Sequence, residues 1–99
     1  MIIMVQHTVR DFDAWKRVFD EHESVRRQHG ATGHELYRGA DDRNQVTVVN
    51  HFPSMAQAEA FATDPSLKEA MERGGVVSEP RVSWVEESES VAYRQTKAA

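Results

Sequence analysis

Hydrophobic and polar positions divide residues 1–87 into six segments, each with the period of a strand or of a helix. Residues 2–9 are mostly apolar and end in β-branched side chains, which is typical of a central strand. Apolar residues then recur every three or four positions, which predicts an amphipathic helix that Asp11 caps and Gly30 ends. The apolar face of this helix carries Phe12, Trp15, Val18, Phe19, His22 and Val25.

A hairpin follows the first helix. Residues 32–38 and 45–52 have strand character, and the short loop between them, Gly39–Asn44, contains the Gly, Asp and Asn residues that favour turns. Alternation along the second of these strands separates two sets of side chains. One set is Val46, Val48, Asn50 and Phe52, and the other is Gln45, Thr47, Val49 and His51.

A second helical segment comes after Pro53. Ser54 and Gln57 have the spacing of a capping box, and Asp64-Pro65 is typical of a helix that starts again. Gly74-Gly75 is expected to end this segment, because glycine at a helix end adopts the left-handed conformation easily. Residues 81–86 then provide a fourth strand, with Val82, Trp84 and Val85 as its bulky side chains.

The order strand, helix, strand, strand, helix, strand predicts an α+β fold of ferredoxin-like βαββαβ type. Because each βαβ unit crosses over right-handed and the hairpin pairs its two strands, we expect an antiparallel sheet of order 4-1-3-2. Both helical segments then cover one face of the sheet and leave the other bare. A bare apolar face usually marks an interface, so we expect a twofold homodimer that packs sheet on sheet. By alternation this face carries Ile2, Met4, Gln6, Thr8, Thr47, Val49 and His51.

Composition excludes several classes of protein. Ninety-nine residues suit one domain, which we place at 1–87, with a polar tail at 88–99. The net charge of −4 argues against nucleic acid as a partner, and no apolar run has the ~20 residues of a membrane span. The start of the chain lacks the basic residues of a secretory signal, and there is no cysteine. We therefore expect a cytoplasmic protein without membrane contact.

At this point the chain resembles the dimeric α/β-barrel superfamily. The stretches that carry the resemblance are Met1–Val9, Val46–Ser54, Ala60-Phe61 and Asp64–Lys68. Within the superfamily the chain is most similar to the antibiotic-biosynthesis-monooxygenase-like proteins and to small cyclase-like proteins. The resemblance implies two sheets packed in a dimeric α/β barrel. It also implies a small-molecule ligand in the cleft between the sheet and the helices of one subunit.

The resemblance suggests candidate site residues. His7 stands where members carry a polar residue near the end of strand one, and Asn50 where some carry a polar or acidic residue on strand three. An imidazole in an apolar cleft suits a general acid or base, so His7 is the catalytic candidate, with Asn50 as hydrogen-bond donor to a carbonyl or oxyanion. The candidates for substrate binding are Trp15, Phe19, His22, His34 and Phe52.

One position departs from the family pattern. Many monooxygenase-like and haem-degrading relatives carry a histidine just after the proline of the second helical segment, where this chain has Ser66. Serine does not ligate haem iron, and the five histidines lack the close spacing of a metal site, so we expect neither metal nor cofactor. The first hypothesis is a cofactor-independent monooxygenase, cyclase or isomerase acting on an aromatic or polyketide-like substrate. The alternative is a non-catalytic stress-response or ligand-binding dimer whose own side chains fill the cleft.

Overall fold

A computed structural model describes residues 1–94, which contain a four-stranded antiparallel sheet and four helices. The spatial order of the strands is β2-β3-β1-β4, which is the predicted order 4-1-3-2 counted from the other edge, so the ferredoxin-like prediction is confirmed. The strands are β1 (Ile2–Thr8), β2 (Gly33–Arg38), β3 (Gln45–His51) and β4 (Arg81–Val85). The helices are α1 (Phe12–Glu21), α2 (Glu23–Gln28), α3 (Met55–Ala62) and α4 (Pro65–Arg73).

The pairing register of β1 decides which side chains face the helices. Ile3 lies opposite Asn50 on β3, and His7 lies opposite Val46. All four of these side chains are buried, whereas Gln6, next to His7, is exposed. Odd-numbered residues of β1 and even-numbered residues of β3 therefore face the helices, as alternation predicted.

The first helical segment is not the single helix predicted from Asp11 to Gly30, because it is interrupted at His22. In a continuous helix the Phe19 carbonyl would accept from the backbone N–H four residues on. Here it accepts from the His22 N–H at 3.2 Å and from Nη1 of Arg26 at 2.7 Å. The Arg26 side chain thus takes over a carbonyl that the helix would otherwise use. Gly30 ends α2 as expected, with φ of +92°.

The second helical segment agrees with its capping signals. Ser54 Oγ accepts from the Gln57 N–H at 3.2 Å, and a carboxylate oxygen of Asp64 accepts from the Ser66 N–H at 2.9 Å. Gly75 follows α4 with φ of +77°, a conformation that favours glycine. Gly74 has a different role, because a Cβ there would lie 2.9 Å from Cδ1 of Trp15. A side chain at this position would displace the indole from the core.

The hydrophobic core lies between the helices and one sheet face. Burying each of its larger side chains stabilises the fold by about 1.5–3 kcal/mol. The core cluster consists of Ile3, Val5, Val9, Trp15, Phe19, Val46, Val48, Phe52, Ala58 and Phe61.

The opposite sheet face carries the side chains that the sequence placed there, along with Tyr37, Arg81, Ser83 and Val85 from the outer strands. Tyr37 is 57% exposed. Residues 88–94, the first part of the predicted tail, contain no helix or strand and are exposed, and its last five positions lie outside the described residues. No helix of the described chain is long and apolar enough to span a membrane.

Candidate functional site

A cavity of about 100 Å³ lies between the helix-facing side of the sheet and the helices. Ile3, Val5 and Val48 form its floor, and Trp15 and Phe19 of α1 lie across from them. Trp15 and Phe19 stack on each other, with ring centroids 5.0 Å apart. The middle of the cleft is therefore apolar and partly aromatic, and it suits a flat hydrophobic ligand.

The cavity brings together most of the candidate residues. His7, Asn50, Trp15, Phe19 and His22 line it, whereas His34 and Phe52 do not. Phe52 packs instead against Phe61, with ring centroids 5.5 Å apart, and is a core residue. His34 faces the helices but lies on the outer strand β2. Its ring and that of Phe19 are nearly perpendicular, with their centroids 5.0 Å apart.

Three buried polar atoms on residues that line the cavity have no hydrogen-bond partner among residues 1–94. They are Nδ1 of His7, Oδ1 of Asn50 and Nη2 of Arg26. Buried polar atoms are nearly always paired, because leaving one unpaired costs about 1–3 kcal/mol. These three atoms therefore mark where the cleft can bond to a polar ligand.

His7 and Asn50 lie at opposite ends of the cleft. Asn50 pairs with Ile3, and His7 is four residues further along β1. At about 3.3 Å per residue, their backbones are separated by roughly 13 Å along the strand. The two side chains therefore cannot bond to one small functional group, and a ligand that contacts both must be elongated.

Arg26 is the site residue that sequence analysis missed. It is 3% exposed, its guanidinium lies 3.7 Å above the centroid of the Phe19 ring, and Nη1 donates to the Phe19 carbonyl. Burial lowers the pKa of Arg26, but an arginine remains protonated at neutral pH. The signal was present in the spacing, since Trp15, Phe19, His22 and Arg26 follow one another at intervals of four, three and four residues. An arginine at this position was overlooked because charged residues are usually exposed.

The position that departs from the family pattern, Ser66, belongs to a polar network at the start of α4. Ser66 Oγ shares a hydrogen bond with Nε2 of His22 at 2.9 Å. Asp64 bonds to Nε2 of His29 at 2.8 Å, and hydrogen bonds from His29 and Ser66 lower its pKa to about 2. The network fixes the His22 ring on the cavity wall. Burial, and then the charge of Arg26, lowers the pKa of His22.

His7 lies at the other end of the cleft, with its ring centroid 5.6 Å from that of Trp15. Burial lowers the pKa of His7 below its ordinary value of 6.5, so the imidazole is neutral at neutral pH. A neutral imidazole can accept a proton, which is what a general base requires. Within residues 1–94, no three His, Asp or Glu side chains are grouped closely enough to hold a metal ion.

Comparison with solved structures shows that the fold is shared with proteins described as antibiotic biosynthesis monooxygenases. The structure of an antibiotic biosynthesis monooxygenase matches with a TM-score of 0.69 and 12% identity, over 90% of this chain and 100% of the other. SnoaB, a cofactor-independent oxygenase from Streptomyces nogalater, matches with a TM-score of 0.68 and 14% identity, over 88% and 93% of the two chains. A Bordetella bronchiseptica protein to which antibiotic biosynthesis monooxygenase activity is provisionally assigned matches with a TM-score of 0.76 and 12% identity, over 89% and 96%.

Because these sequence identities are low, the likeness establishes the fold and not the reaction of this protein. Comparison with models of protein families gives no match, and neither does comparison with curated proteins. The resemblance drawn from the sequence is confirmed at the level of the fold.

The buried histidines predict how stability changes with pH. In the unfolded chain a histidine takes up a proton near pH 6.5, whereas burial holds the pKa of His7 and of His22 below that value. The unfolded state therefore binds more protons as the pH falls below about 6.5, and the free energy of unfolding decreases. We expect a loss on the order of 1 kcal/mol between pH 7.5 and 5.5, measured by urea denaturation. His7→Asn should flatten this dependence, and a stability that is constant or rises on acidification would contradict the burial of these rings.

Proposed function

We propose that the protein is a small-molecule enzyme of the cofactor-independent monooxygenase type, acting on an aromatic or polyketide-like substrate in the cleft. The observation that carries the proposal is the buried His7 ring, with an unpaired Nδ1, beside Trp15 in an apolar cavity. Support also comes from the fold, which is similar to that of SnoaB, described as a cofactor-independent oxygenase.

In this proposal His7 is the general base. Neutral imidazole removes a proton from an activated CH2 group of the substrate, and the electron pair left on carbon reduces O2 to a carbon-bound peroxide. The peroxide takes the proton back from His7 and loses water as its O–O bond breaks, so that CH2 and O2 become C=O and H2O. The same base would serve enolisation and cyclisation of a polyketide chain.

The distance between His7 and Asn50 changes the role proposed for Asn50. A donor for the oxyanion at the reacting carbon has to lie within hydrogen-bond distance of that oxygen. Since Asn50 is roughly 13 Å along the strand from His7, we propose that its amide bonds to a remote oxygen of the substrate. Asn50 then fixes the orientation of the substrate, while His7 carries out the proton transfer.

The size of the cavity supports a second candidate function. Pockets for drug-sized ligands usually enclose about 300–1,000 Å³, and this cavity is about 100 Å³. A cleft that its own side chains nearly fill fits a non-catalytic dimer of the stress-response type. One observation argues against a closed cleft. Val82 and Trp84 are exposed, although the β1 residues that pair with them, Val5 and Ile3, are buried beneath the helices. A larger ligand can therefore extend from the cavity along β4.

Oxygen consumption with an anthrone tests the role of His7. We expect His7→Asn to lower the rate by roughly 10²- to 10⁴-fold, the usual contribution of a positioned acid–base group. His51→Asn is the matched control, because His51 lies on the other sheet face and bonds to Glu35. A His7→Asn protein that oxidises the substrate at the original rate would exclude His7 as the base. If neither anthrones nor quinols are turned over, the non-catalytic candidate is favoured.

We also propose that two copies pack through their bare sheet faces. Met4 and Val49 pair at the centre of this face, with Ser83 on the other side of Met4. Val49 is already buried in one chain, but exposed apolar side chains of this face such as Tyr37, which is 57% exposed, would leave water on association, the usual driving force for an interface of this kind.

Light scattering during size-exclusion chromatography tests the dimer. We expect the protein to have twice the 11.3 kDa mass of one chain at micromolar concentration. Met4→Glu should be monomeric, because it would bury an unpaired charge at the interface. Met55→Glu is the control, since Met55 is 40% exposed at the start of α3, and this variant should remain dimeric. A monomeric wild type would rule out the sheet-to-sheet dimer.

A further inference from the structure

The buried guanidinium of Arg26 carries a positive charge that Glu23 and Asp20 offset only through space, without a direct ion pair among residues 1–94. No carboxylate within residues 1–94 lies within 4.0 Å of it, although Arg27, its neighbour in sequence, reaches Glu23 at 3.9 Å. Buried charges in proteins are nearly always paired, because an unpaired one loses its hydration without compensation. An arginine that is 3% exposed and lines a cavity is therefore expected to meet an anion there.

Contacts with Phe19 fix the orientation of the guanidinium. Nη1 donates to the Phe19 carbonyl at 2.7 Å, and the plane of the group lies over the Phe19 ring. Nη2 remains as a buried donor without a partner in residues 1–94. Since the protein holds one part of the fork, a ligand that reaches the buried Nη2 can bond to it without further ordering of this side chain.

Asn50 lies at the same end of the cleft as Arg26. The Phe19 ring, on which the Arg26 guanidinium stacks, also contacts the ring of His34. His34 in turn pairs with Asn50 on the neighbouring strand. The pKa of His34 is lowered, mainly by burial and next by the positive charge of Arg26. The two unpaired polar atoms, the donor Nη2 of Arg26 and the acceptor Oδ1 of Asn50, are thus far from His7 and on the same side of the apolar middle.

We propose that Arg26 binds an anionic oxygen group, a carboxylate or an ionised phenol, of an elongated apolar ligand, and that Asn50 bonds to the same ligand nearby. The guanidinium binds the anion, Oδ1 of Asn50 accepts a hydrogen bond from a hydroxyl group of the same ligand, and the hydrophobic body lies along Trp15 and Phe19 toward His7. The roughly 13 Å between the ends selects fused-ring aromatic acids over small carboxylates such as acetate. That this ligand is the substrate rests on the function proposed above, whereas the selectivity for an anion does not.

Calorimetric titration with a matched pair of ligands, naphthoic acid and naphthamide, tests the site. The two have the same aromatic body and differ in charge at neutral pH. We expect the acid to bind the wild-type protein at least about tenfold more tightly than the amide, because hydrogen bonds to charged groups are the stronger ones. Arg26→Met should abolish this preference and leave binding of the amide unchanged, since Met retains an apolar stem over Phe19.

Arg27→Met is the control variant, because Arg27 is exposed and lies one position along the same helix. It should retain the preference for the acid. Equal affinity of the wild type for the two ligands, or an Arg26→Met protein that still prefers the acid, would overturn the proposal. If Arg26→Met does not fold, two other measurements decide: the comparison of the two ligands on the wild type, and the affinity of Arg26→Lys for the acid. Arg26→Lys should bind the acid more weakly than the wild type.

The outcome separates this site from the proposed activity. A preference for the acid without oxygen consumption on any anthrone or quinol would support the anion site and count against the monooxygenase. Oxygen consumption that depends on His7, with no preference for the acid, would support the enzyme and exclude the anion site.

Discussion

The rest of the structure depends on β1, which pairs with β3 on one side and with β4 on the other. Its alternation determines that Ile3, Val5 and His7 face the helices. A slip of one residue would turn all three toward the bare face and replace them with Ile2, Met4 and Gln6. Packing against the helices favours the observed register because it also buries Val9, which a slip would replace with the polar Thr8. The position of His7 in the cleft is thus a consequence of the same packing that stabilises the fold.

Within the cleft, polar groups lie at the two ends and apolar groups lie between them. Leaving His7, Asn50 and Arg26 unpaired lowers stability, and an apolar side chain at any of these positions would avoid that loss. Proteins tolerate such a loss mainly at functional sites, where local rules of packing are broken for the sake of binding or chemistry. The stacked Trp15 and Phe19 rings separate the ends and supply a surface for an aromatic body. The arrangement fits a ligand with a reactive carbon near His7 and a polar group near Arg26.

The sequence was sufficient for the strands, their faces and the helix ends, because these depend on local periods and on capping residues such as Ser54, Asp64 and Gly75. It was not sufficient for the interruption at His22, which depends on Arg26 bonding to the Phe19 carbonyl. Nor could it place Ser66 beside His22, since 44 residues separate them and only the packing of α4 against α1 brings them together. His34 was assigned to the correct face of the sheet. Alternation does not say how far a residue lies from the cavity, and the position of His34 on the outer strand keeps it out of the cavity. Phe52 follows the end of β3, where it packs against Phe61.

The central claim is that the cleft between the sheet and the helices binds an apolar ligand, with its polar groups at the two ends. A crystal structure of the protein with a bound fused-ring aromatic acid tests this claim most directly. We expect the rings to lie between Trp15 and the Val5–Val48 floor, with a carboxylate oxygen about 2.7–2.9 Å from Nη2 of Arg26. A ligand bound on the bare sheet face, or a cleft that remains closed at a saturating concentration of the acid, would contradict it.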